Sequence, residues 1–72
     1  MKGRIVTIHP SIRSSVYNYV CEGEEGIFSF PVEFRYHMDI IEREGDPTGR
    51  EVEYMSDNEP PYLIFLDGEE VS

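Results

Sequence analysis

Val16-Tyr17-Asn18-Tyr19-Val20-Cys21, then Glu22-Gly23-Glu24-Glu25-Gly26, then Ile27-Phe28-Ser29-Phe30 is the stretch on which the fold turns. Its two flanks are rich in aromatic and β-branched residues, which suit a pleated, half-buried surface. The glycine-bearing acidic segment between them has the length of a hairpin turn. Residues 16–21 and 27–30 are therefore expected as the second and third strands of a meander. Upstream, residues 3–9 (Gly-Arg-Ile-Val-Thr-Ile-His) are β-branched and stop at Pro10, which gives a first strand. Residues 10–15 are polar and turn-prone, a loop between strands one and two.

Downstream the period changes. From residue 31 to residue 44 the apolar side chains Phe34, Met38 and Ile41 recur at i, i+4 and i+7, the spacing of one helical stripe. Pro31 suits a first helical turn and Gly45 a C-terminal stop, so a short helix is expected there. Asp46-Pro47-Thr48-Gly49 has the residue preferences of a type I turn. Residues 50–55 alternate polar and apolar as a fourth strand. Residues 57–61 (Asp-Asn-Glu-Pro-Pro) break the chain, and residues 62–66 (Tyr-Leu-Ile-Phe-Leu) form a fifth. Three strands, a helical link and two strands is the element order of an all-β, five-stranded oligonucleotide/oligosaccharide-binding (OB) barrel. An SH3-like barrel has the same strand count, and the helix between strands three and four favours the OB arrangement. One domain over residues 1–68 is expected, with a frayed tail at 69–72.

The chain has 72 residues, one cysteine and a formal net charge of −9. A chain this short buries only about 60% of its unfolded surface, so a second domain is excluded. No apolar run approaches the roughly 20 residues of a membrane-spanning helix, and no leader-like segment opens the chain. A lone cysteine makes no internal disulfide, which fits a reducing cytoplasm, and the expected state is a monomer. Charge is segregated: residues 1–20 carry Lys2, Arg4 and Arg13 and no acid, while all 15 carboxylates follow. A net −9 repels polyanions at long range, but screening over about 8–10 Å leaves local basic edges effective.

With these elements placed, the chain resembles the cold-shock domain, a small OB-fold family that binds single-stranded RNA and DNA. Lys2-Gly3-Arg4-Ile5 resembles that family's opening strand, and Val16-Tyr17-Asn18-Tyr19-Val20 sits where its first nucleic-acid motif lies. Ile27-Phe28-Ser29-Phe30-Pro31 sits at the second motif, and Gly49-Arg50-Glu51-Val52-Glu53-Tyr54 resembles the fourth strand. The departures are specific. Thr7 stands at the stacking tryptophan and Val6 at the lysine before it. Phe30 replaces the motif histidine, Val16 and Asn18 replace glycines, and residues 34–44 are more helical than in the family.

Strand periodicity puts Tyr17 and Tyr19 on one face of strand two, and Phe28 and Phe30 together on strand three. The pattern allows either orientation. Rings turned inward would be ordinary core, with Asn18 and Ser29 in water; a one-residue change of register exchanges the two pictures. The resemblance implies the outward orientation. On that basis Tyr17, Tyr19, Phe28 and Phe30 are expected to stack on bases, each worth roughly 1–3 kcal/mol. Arg13, Lys2 and Arg4 would contact phosphates, and Tyr36 and His37 would extend the platform. The alternative is an acidic protein-interaction module that docks on a basic partner surface. Its carboxylates would stand in for phosphates through Glu42, Glu44, Asp46, Glu51, Glu53, Asp57 and Glu59. Catalysis is not expected, nor a metal or cofactor: His9, His37 and Cys21 lack ligand spacing, and no motif pairs Cys21 with a base.

Overall fold

The computed structural model describes residues 1–66, so the expected tail at 69–72 lies outside the described residues. Five strands and one helix follow in chain order: β1 (Lys2–Pro10), β2 (Val16–Gly23), β3 (Gly26–Glu33), α1 (Phe34–Glu44), β4 (Glu51–Met55) and β5 (Tyr62–Phe65). The strands form one sheet in the order β3-β2-β1-β4-β5, every neighbouring pair antiparallel. No ladder joins β3 to β5 among the described residues, so the closing pair of the expected barrel is absent. The sheet is nevertheless strongly curled. Flat, β3 and β4 would lie about 14 Å apart at three strand spacings; instead Phe30 of β3 stacks on Tyr54 of β4 with ring centroids 4.0 Å apart.

The β2–β3 hairpin turns through Glu24 and Glu25 alone, with Gly23 opposite Gly26. Glu24 and Glu25 keep negative φ, and the reversal is completed at Gly26, whose φ of 125° favours glycine. Gly23 answers a different constraint. A Cβ there would sit 2.5 Å from the Lys2 carbonyl oxygen, and one at Gly3 would sit 2.9 Å from both the Glu22 oxygen and the Phe28 ring. The two glycines let β1 and β2 meet beneath the edge of that ring. Gly23→Ala is accordingly expected to cost about 1–3 kcal/mol through overpacking against backbone, read as a lower urea midpoint at unchanged slope.

A bulge between Ile5 and Thr7 leaves Val6 as the extra residue of β1, so that Ile5 and Ile8 both reach the interior. Pro31 was expected to open the helix. It lies instead within β3, opposite Asn18, because β3 is an edge strand and tolerates a residue with no N–H to give. The helix begins three residues later, where the Phe34 N–H donates to the Ser15 carbonyl at 2.9 Å. It ends as expected at Gly45, whose φ of 77° lets its N–H reach the Ile41 carbonyl at 2.9 Å. The turn expected at residues 46–49 closes one residue later, with the Arg50 N–H on the Pro47 carbonyl at 3.0 Å. Gly49, at φ 90°, takes the position that favours glycine, and Asp46 accepts the Thr48 N–H.

The core is Ile5, Tyr19, Cys21, Phe30, Val32, Ile40, Val52 and Leu63, with Tyr17, Phe28, Tyr36 and Tyr54 packed around it. The helix is rotated from the expected stripe. It buries His37 and Ile40, while Phe34 and Met38 remain 46% and 41% exposed. No helix among the described residues is long and apolar enough to cross a membrane.

Candidate functional site

Directly opposed residues of an antiparallel pair share a face, so the β2–β3 register decides which way the four rings look. Tyr17 faces Val32, Tyr19 faces Phe30 and Cys21 faces Phe28, and Cys21 also opposes the buried Ile5. This is the inner face. Tyr19 is fully enclosed and Phe30 is 4% exposed, with Tyr17 and Phe28 half-buried beside them. The outward orientation expected from the family resemblance is therefore corrected. The physical reason is the poverty of the other face, which offers Val16, Asn18, Val20, Ile27 and Ser29. Burying rings gains far more apolar area than burying two valines and an isoleucine around two polar groups.

The rings form a continuous aromatic cluster. Phe34 lies 6.1 Å from Tyr17, which stacks on His37 at 4.0 Å and 16°. His37 meets Tyr19 edge-on at 5.7 Å, and Tyr19 leads through Phe30 to Tyr54 and Phe28. Phe34 and Tyr54 were absent from the expected set. The alternation of β4 already put Tyr54 on the side of Val52; for Phe34 the helical stripe pointed to the core.

Tyr36 and His37, expected as an edge platform, serve packing instead. The Tyr36 hydroxyl accepts the Leu63 N–H at 2.8 Å, tying α1 to β5. The Tyr19 hydroxyl lies 2.7 Å from His37 Nδ1, tying α1 to β2. Burial pushes the Tyr19 hydroxyl well above the usual phenol range, with Tyr36 adding to the effect, so it stays a donor. The same burial lowers the proton affinity of His37. Cys21 is enclosed, and burial raises its thiol to about 11, an unreactive protonated state.

The three expected phosphate contacts are not brought together. Lys2 and Arg4 lie at the start of β1, and Arg13 lies in the loop that follows the end of that strand. Nor do Lys2 and Arg4 form a positive lip. Arg4 opposes Glu22 on one side and Glu51 on the other and donates to the Gly49 carbonyl at 3.1 Å; Lys2 opposes Glu53. An open groove of about 1050 Å³ at this rim is lined by both signs, with Lys2 and Arg4 facing Glu22, Glu24 and Glu25.

The carboxylates are arranged differently. Glu42, Glu44, Asp46, Glu51, Asp57 and Glu59 are exposed and Glu53 is half-buried, on a path from the end of α1 along β4 into the β4–β5 loop. The two cations on this path are already engaged, Arg43 with Asp39 at 2.8 Å and Arg50 with Glu44 at 3.2 Å. Glu42, Asp46, Glu53, Asp57 and Glu59 have no ion pair among the described residues. No group of three potential metal ligands converges among the described residues. What the fold and these side chains define is a small, mostly β domain with an enclosed aromatic core and an acidic flank. No family model, curated protein or solved structure matches the chain.

Proposed function

We propose that the protein is an acidic interaction module that docks on the basic surface of a protein partner. The observation that carries this reading is the segment from Glu42 to Glu59, where the exposed Glu42, Asp46, Asp57 and Glu59 and the half-buried Glu53 have no ion pair among the described residues, while Arg43 and Arg50 are engaged locally. An array of that kind steers a cationic partner at long range and is costly to place against a polyanion. The sheet order β3-β2-β1-β4-β5, with a helix between β3 and β4, is also that of an OB barrel before its closing pair. We take the fold as OB-like on that ground. The OB order keeps single-stranded nucleic acid as the competing ligand; the enclosure of Tyr19 and Phe30 counts against it, since only the half-buried Tyr17 and Phe28 are left to stack on bases.

Titration of the full chain with an arginine-rich peptide and with a pyrimidine oligonucleotide, read per residue by NMR, separates the two. The peptide is expected to shift amides in residues 42–59 and to lose affinity as salt rises. The triple variant Glu42→Lys, Asp57→Lys, Glu59→Lys should weaken it at least tenfold. The same charge change at Glu22, Glu24 and Glu25 should weaken it much less. Equal losses for both triples would reduce the interaction to net charge and end the proposal. Shifts at Tyr17 and Phe28 with the oligonucleotide, and none with the peptide, would put nucleic acid in its place.

A further inference from the structure

His37 is the single buried polar side chain of the described core, and it sits at the seam between α1 and β2. Its ring is stacked against Tyr17 and met edge-on by Tyr19, and its Nδ1 lies against the Tyr19 hydroxyl. Tyr19 is fully enclosed, so its hydroxyl proton needs an internal acceptor. That condition assigns the tautomer: Nδ1 accepts from Tyr19, and the imidazole proton resides on Nε2. A second proton must then enter at Nδ1, the nitrogen already occupied. Protonation would reverse the bond, leave the Tyr19 proton without an acceptor in the interior, and bury a charge.

We propose that His37 is an acid-sensitive latch by which α1 covers the aromatic cluster, closed at neutral pH and released as His37 takes a second proton. No ion pair to His37 is formed among the described residues. From β2 the groups around the ring are Tyr17 and Tyr19; from β3, Phe30 and Val32 are apolar and Glu33, at the helix start, is exposed. On α1 itself Tyr36 is held by Leu63, Asp39 is paired with Arg43, and Arg35 is exposed and cationic. The remaining ties of the helix are few: Ile40 in the core, the Tyr36–Leu63 bond, the Phe34 ring beside Tyr17, and the Phe34 N–H on Ser15. The direction follows from linkage. Burial disfavours the charged imidazole in the folded state, whereas the released ring titrates near the ordinary 6.5. Docking is therefore fully supported above about pH 6.5 and weakens as pH falls below it. Release bares Tyr17 and Tyr19, so acid would expose a face that is closed at neutrality. The latch is independent of whether the acidic flank binds a protein.

Hydrogen exchange of the full chain at pH 7.5 and 5.5, corrected for intrinsic rates, tests it. Protection of residues 36–44 should fall at least tenfold while β1 and β2 amides keep theirs, and His37→Gln should abolish the difference. Tyr19→Phe removes the donor while keeping the ring, and should lower helix protection already at pH 7.5. His9→Gln, at the exposed imidazole of β1, should change nothing. Equal loss of protection in helix and sheet would mean a global stability effect and overturn the latch. So would a His37 Nδ1 resonance in wild type showing that nitrogen protonated at pH 7.5, or helix protection unchanged between the two pH values.

Discussion

Tyr19→Ala is expected to unfold the domain, not to leave a folded protein with a damaged binding surface. Truncating a fully buried aromatic ring costs about 3–5 kcal/mol. Here the loss is larger than the ring alone, because Nδ1 of His37 is left buried without its donor and the contact to Phe30 disappears. A 72-residue domain typically has a total stability on the order of 4–11 kcal/mol, so the variant falls at or below the threshold of folding. Tyr19→Phe keeps the ring and is expected to cost about 1–3 kcal/mol, as a buried acceptor left unmade. Urea unfolding followed by far-UV circular dichroism, at pH 7.5, measures both. A Tyr19→Ala protein with native dichroism and an unchanged midpoint would place the ring at the surface and restore the nucleic-acid reading.

That result bears on what a sequence of this kind discloses. The strands and the hairpin were legible because β-branched and aromatic residues alternate between glycine and proline punctuation, and the element order followed from them. The face of β2 was not legible. Both of its faces obey a period of two, and only the opposed partners Val32 and Phe30, together with the helix above them, decide which one is covered. The family resemblance implies the outward choice, whereas the register puts Tyr17 and Tyr19 on the inner face and Val16, Asn18 and Val20 on the outer one. The basic residues are dispersed for a related reason. Lys2, Arg4 and Arg13 are close in the chain, but a nine-residue strand separates the first two from the third by most of its length. Glu22, Glu51 and Glu53, distant in sequence, are the cross-strand neighbours of Lys2 and Arg4.

Ile40→Ala is expected to cost about 2–5 kcal/mol, and Phe34→Ala or Met38→Ala far less, although a helical wheel drawn from the sequence ranks them the other way. The apolar stripe of Phe34, Met38 and Ile41 looks like the natural core face of α1. In the fold that stripe lies to one side, and the buried side chains are His37 and Ile40. What makes the rotation stable is chemistry that hydropathy does not score. His37 counts as polar, but its Nδ1 is satisfied by Tyr19 and its ring is stacked on Tyr17, so it behaves as an aromatic core residue at neutral pH. Tyr36, one residue earlier, engages its hydroxyl with the Leu63 N–H, a backbone donor of β5. Two polar tips thus anchor the helix at positions that a periodicity argument passes over, and Ile40, one turn on, is buried in the core. Phe34 and Met38 keep roughly half of their surface in water, so truncating them forfeits correspondingly less burial. Thermal or urea unfolding of the three single variants ranks them directly. Were Phe34→Ala or Met38→Ala the more damaging, the helix would be packed on its apolar stripe after all, and neither the His37–Tyr19 contact nor the latch built on it would survive.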